Sequence, residues 1–170
     1  MKFIGRNTHQ RRRYGLTLIE CVVAMTILPL AVTAIALAIT SGQAQALEAM
    51  NRTRAAMVAE DLMEEVLALP YNDPDGASNL GPEAGESHRT KFDNADDFHG
   101  YTESAGNLID ATGASYPTPI QRFDRSVTCA NTSITVTGLG NPIAGLEVTV
   151  TVSFSGNPVC TVKRFIPQST

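Results

Sequence analysis

Few side chains in this sequence are placed to do chemistry, and the most conspicuous is a carboxylate. Glu20 lies in Leu16 to Ile39, a run of 24 residues whose only other ionisable side chain is the thiol of Cys21. A charge at the centre of a lipid span costs about 2.5–3.5 kcal/mol, so it needs either a cation or an exit to water. The chemistry open to Glu20 is therefore ion pairing, or snorkelling if it lies near the membrane edge. Cys129 and Cys160 are a second set. In an oxidising compartment they would close a loop of about 32 residues, worth roughly 3–4 kcal/mol; otherwise they are two buried thiols, since spacing alone does not bring their Cα atoms within reach. Asp93, Asp96 and Asp97 are a third set, because hard divalent cations collect carboxylates in Gly-rich loops. Their spacing is not that of an EF-hand, whose third position would here be Ala95. The alternative is that they cap turns or pair with Arg89, Lys91, Arg122 or Arg125.

Catalytic arrangements are missing from the sequence. It has no phosphate-binding glycine loop, nucleophile elbow, H-E-x-x-H or Cys/His zinc spacing, and His88 and His99 are too few to make a catalytic set. Neither an enzyme activity, a cofactor nor a small-molecule substrate is expected.

The elements that must carry these residues follow from pattern and charge. Leu16 to Ile39 would span about 36 Å as a helix at 1.5 Å per residue, enough for a hydrocarbon core of about 30 Å. Of the 13 lysines and arginines, five (Lys2, Arg6, Arg11, Arg12 and Arg13) precede residue 16, while all 17 acids follow it. Such a basic flank predicts a cytoplasmic N-terminus and an exported body in a single-pass membrane protein. The acidic body argues against nucleic acid as a partner.

From Ser41 to Leu69 good helix formers continue without proline, so one long helix is expected over residues 16–69, loosened or kinked at Pro29 and ended by Pro70 and the turn residues after it. Beyond the membrane run, Ala55, Val58, Ala59, Leu62, Val66 and Leu69 make one apolar stripe, the width of a face packed on its own domain. Ala46, Met50, Met57 and Ala68 make a thinner stripe opposite, suited either to another subunit's helix or to tolerated surface. Glu60, Asp61, Glu64 and Glu65 crowd the helix end as a solvated face or as a contact for basic side chains of a neighbouring subunit.

Residues 70–120 form an irregular connection rich in Gly, Pro and Asp, in which short strands or helical turns are expected. From residue 121 onward FDRSVTC, SITVTG, LEVTVTVSF and CTVKRFI alternate as strands, with Ser155-Gly156-Asn157-Pro158 as a hairpin. The expected fold is α+β: one long N-terminal helix, its first half transmembrane (16–39) and its second half exported (40–69), packed on a small antiparallel sheet (121–170) and preceded by a basic leader (1–15).

An ordinary secretory signal is cut after its apolar region, where no preferred small-residue site stands here. The stretch RRRYG followed by LTLIE instead resembles the leader and mature start of type IV prepilins and type II secretion pseudopilins. That resemblance implies a pilin-like fold, cleavage by a prepilin peptidase between Gly15 and Leu16, and methylation of the new Leu16 amino group. It also implies a role for Glu20 in assembly, through pairing with the amino terminus of a neighbouring subunit. The ammonium of Leu16, four residues back on the same helical face, could neutralise Glu20 within one chain. EDLMEEVLALPY with Arg89, Phe92, Asp93, Asp96, Asp97, Phe98, His99, Gly100 and Tyr101 resembles MSHA-type minor pilins. The function implied is that of a minor pilin subunit of a cell-surface or periplasmic filament, anchored in the bacterial inner membrane, with the peptidase and other pilin subunits as partners. A pseudopilin of a type II secretion system and an uncleaved single-pass adhesin or sensor are the competing readings.

Overall fold

The computed structural model describes residues 15–74, 76, 79–138 and 141–168. The basic leader up to residue 14 therefore lies outside the described residues. One helix, α1, runs over Leu18–Leu67, two residues shorter at each end than expected. It continues across Pro29, where the ring removes one backbone donor, and the Thr33 hydroxyl donates to the Pro29 carbonyl at 2.6 Å. The chain divides into two units between Ala46 and Leu47. In the first, every described residue is exposed, including Leu16, Leu18, Met25, Leu28 and Leu37. This segment is long and apolar enough to cross a membrane.

The second unit holds the core, a long helix end packed on a four-stranded antiparallel sheet. Ala55, Val58, Ala59, Leu62 and Val66 are buried, Leu69 partly so, as the 3.6-residue spacing required. Met63, outside that stripe, is buried beside them, its unbranched side chain filling the margin of the face. The thinner stripe of Ala46, Met50, Met57 and Ala68 is exposed.

The strands β1 (Thr102–Glu103), β2 (Phe123–Ile134), β3 (Ile143–Phe154) and β4 (Asn157–Pro167) follow one another as a meander. Alternation along β2 and β3 turns Phe123, Val127, Cys129, Val148, Val150 and Val152 into the core. FDRSVTC and the start of SITVTG form one strand, not two, because the ladder runs unbroken from Phe123 opposite Phe154 to Ile134 opposite Ile143. From Ala130 onward both faces of β2 are exposed, so the inward alternation that marks a strand disappears while the backbone pairing continues. Ser155 and Gly156 both have positive φ, 51° and 78°, the two-residue turn whose twist matches the strands it joins.

Between helix and sheet, the connection contains short 3₁₀ turns at Arg89–Lys91 and Asp96–Phe98, strand β1, and a lone bridge from Ile109 to Ser115. Phe92, Phe98 and Tyr101 stack edge to face with ring centroids 4.9–6.0 Å apart, fixing this segment under α1.

Cys129 and Cys160 are free thiols, and the expected disulfide is corrected by the register. Cys129 faces Val148 and Cys160 faces Val152, so the two lie on β2 and β4 with β3 between them, four positions apart along the ladder. Two strand spacings and four residues separate Cα atoms by roughly 16 Å, against a bridging limit of about 7 Å.

At Gly145 β3 has no room for a side chain. A Cβ there would collide with the Ile166 carbonyl oxygen and stand 2.5 Å from the Phe165 ring, and the backbone atom cannot move without parting the strands. Gly145→Ala is expected to cost about 1–3 kcal/mol, seen as a lower Tm in circular dichroism; an unchanged Tm would show that β4 shifts freely.

Candidate functional site

Two regions of the molecule carry the residues singled out from sequence. The first is the entry to α1. Gly15, Leu16 and Thr17 are non-helical and exposed, with nothing within 4 Å of a Cβ built at Gly15. Helix α1 begins at Leu18, so Thr17 is its cap and Glu20 its third residue. The Thr17 N–H donates to Glu20 Oε2 at 2.7 Å, its hydroxyl donates to the same oxygen at 2.8 Å, and the Glu20 N–H donates back to Thr17 Oγ1 at 3.3 Å. This is a capping box: two amides with no intrahelical acceptor are satisfied reciprocally, and the carboxylate sits at the positive end of the helix dipole. Glu20 is thus held by Thr17, not by the backbone nitrogen of Leu16 four residues back. The signal was legible in the sequence as T-L-I-E, the S/T-x-x-E pattern.

The second region is in the folded unit, where sequence reasoning named the arginines but not their partners. Arg125, at an inward position of β2, donates through Nε to Glu103 Oε2, through Nη2 to the Ile109 carbonyl and through Nη1 to the Val58 carbonyl at 3.3 Å. Arg89 grips Glu65 with two parallel bonds, Nε to Oε1 at 2.6 Å and Nη2 to Oε2. Its Nη1 reaches Glu103 Oε1 and the Ile109 carbonyl, both at 3.1 Å, and the Tyr101 hydroxyl donates to Glu103 Oε1 at 2.6 Å. The side chains of Arg125, Arg89 and Glu103 are 0%, 7% and 6% exposed. Two cations thus face two anions, with only Glu65 partly exposed, a neutral set that joins α1, the connection, β1 and β2. Burial alone would pull the Arg89 guanidinium down, yet its bonds to Glu65 hold it above its ordinary value. Burial and then the Glu103 hydrogen bond push Tyr101 up to about 12.

These contacts correct two expectations. Arg89 and Arg125 pair with Glu65 and Glu103, not with the aspartates, of which Asp97 takes the other expected role and caps a turn. The acids at the end of α1 are not merely a solvated face: Glu65 binds Arg89, Glu60 binds Arg164 at 3.1 Å, and Asp61 accepts the Tyr116 hydroxyl at 2.9 Å.

The aspartates do not converge on one point as a ligand set. Asp97 is fully buried and caps its own turn, its Oδ2 accepting the N–H groups of Asp93 (2.9 Å) and Asn94 (3.1 Å). Asn94 Oδ1 returns the bond by accepting from Asp96 and Asp97, both at 3.1 Å. What meets Asp97 is a pair of glutamates from the preceding loop. One carboxylate oxygen each of Glu83, Glu86 and Asp97 lie within 4.8 Å of one another. The hydrogen bond with Glu86 pushes Glu83 up to about 7, and burial raises Asp96 and Asp97. Burial, then Asp96 and Asp97, push the Cys129 thiol up to about 12, so it stays protonated and unreactive. His99, in the same segment, accepts the Cys129 N–H on Nδ1 at 3.0 Å, a structural role.

No family model, curated protein or solved structure matches this chain.

Proposed function

We propose that the chain is a minor type IV pilin-like subunit, cut between Gly15 and Leu16 by a prepilin peptidase, methylated at Leu16 and assembled through its N-terminal helix into a filament. The observation that carries the reading is α1 itself: one continuous helix, apolar and exposed along its first part, that ends in the core of a folded unit. A soluble domain has no use for such a stretch. A subunit that rests in a membrane and later stacks helix against helix does, because the same apolar surface serves lipid and neighbours in turn. The exposed, non-helical Gly15–Thr17 segment supports processing there, since a peptidase needs extended backbone that it can reach. The basic residues before residue 16 support a cytoplasmic leader and an exported body. In this reading the work of the molecule is associative, with other pilin subunits as its partners.

Intact mass of the chain co-expressed with a prepilin peptidase tests the reading directly. The expected product starts at Leu16 and carries one extra methyl group. A product that keeps Met1 overturns the reading in favour of a permanent single-pass anchor.

A further inference from the structure

The loop before the first 3₁₀ turn and the buried aspartate of the second form a feature that filament assembly does not use. Glu83, Glu86 and Asp97 bring one oxygen each within 4.8 Å of one another, and no ion pair among the described residues engages any of the three. Carboxylates this close repel in a partly dry site, and through its hydrogen bond with Glu86 the Glu83 carboxyl is pushed up to about 7. The chain nevertheless folds them together and secures each side: Glu83 N–H donates to Glu86 Oε2 at 2.9 Å, Glu86 N–H donates to the Glu83 carbonyl at 3.2 Å, and Gly81 N–H ties the loop to the Asp96 carbonyl at 3.2 Å.

A second observation points to a ligand. Asp97 is 0% exposed; its Oδ2 is used by two backbone donors, while its buried Oδ1 has no hydrogen-bond donor among the described residues. A buried carboxylate oxygen left without a donor costs about 1–3 kcal/mol or more. It is the kind of oxygen a hard cation takes. Oxygen ligands of calcium stand about 2.3–2.6 Å from the ion, so oxygens that share one ion lie no more than about 5.2 Å apart, a limit these three meet.

We propose that Glu83, Glu86 and Asp97 form a calcium site that clamps the 81–86 loop onto the turn at Asp96–Phe98. The three carboxylates supply one oxygen each, a glutamate can add its second, and water completes the shell. Calcium suits the site better than magnesium, because the two glutamates are half-exposed and adjustable, whereas magnesium demands near-ideal octahedral geometry and keeps its water. The site differs from the Asp93, Asp96, Asp97 set considered from sequence: only Asp97 is shared. It is also independent of the filament reading.

Isothermal titration of CaCl2 into the full chain, stripped with chelator in detergent at neutral pH, tests it. One saturable ion per chain is expected, together with a calcium-dependent rise in Tm. Glu83→Gln with Glu86→Gln, both near the surface, is expected to fold, to lose at least tenfold in affinity and to lose the rise in Tm. Absence of binding at millimolar calcium overturns the proposal. So does an equal rise with MgCl2, which would be general charge screening, or an unchanged rise in the double variant. If that variant unfolds, Asp97→Asn in its place must abolish the binding, and retained binding overturns the site.

Discussion

Arg125→Ala is expected to cost about 3–5 kcal/mol of folding stability, because it strands the Glu103 carboxylate in the core and leaves the Val58 carbonyl without this donor. For a folded unit of this size that loss lowers Tm by about 10 °C or more. The chain has no tryptophan, so far-UV circular dichroism of the full chain in detergent is the suitable measurement. The cause is the stranded partner, not the lost attraction. Arg125→Met combined with Glu103→Leu removes both charges, leaves Arg89 bound to Glu65, and is expected to recover much of the loss. If the double change is as damaging as the single one, geometric positioning by Arg125 outweighs charge. A loss below about 1 kcal/mol for the single change would mean that water reaches Glu103.

The same network marks the boundary of what the sequence could reveal. The helix and its buried face were legible because apolar residues recur along Ala55 to Val66 at the spacing of a helix and dominate burial energy. Three strands are legible by alternation, whereas SITVTG does not stand as a separate strand, because hydrogen bonding continues where burial stops. Arg125 stood at an inward position of β2, between Phe123 and Val127, so a buried cation could have been inferred. Its partners could not: the Val58 carbonyl lies 67 positions away and Glu103 lies 22 away, and only the folded connection brings them together. Glu83 and Glu86 meet Asp97 for the same reason. The cysteines show the converse failure, since an attractive spacing says nothing about which strands carry the two thiols. The capping box at Thr17 and Glu20 was present in four consecutive letters but was overshadowed by the cost of a carboxylate in lipid.

That overlap makes Glu20 the most informative position in the chain. Glu20→Ala removes both the capping bonds to Thr17 and the charge. The cap alone is worth about 1 kcal/mol and concerns only the first turn, so the variant is expected to insert into the membrane and fold its exported unit. Under the filament reading it assembles poorly, because the Leu16 ammonium of a stacked neighbour would meet no anion in a dry interface. Glu20→Gln separates the two roles. Glutamine supports a capping box, as glutamate does, yet carries no charge. Incorporation into filaments, measured against total membrane-inserted subunit, is expected to fall about tenfold or more in both variants, the equivalent of about 1.4 kcal/mol per decade. If Glu20→Gln assembles as well as the parent chain while Glu20→Ala does not, the carboxylate matters only as a helix cap and the pairing model fails. If both assemble normally, the first turn of α1 has no part in subunit docking.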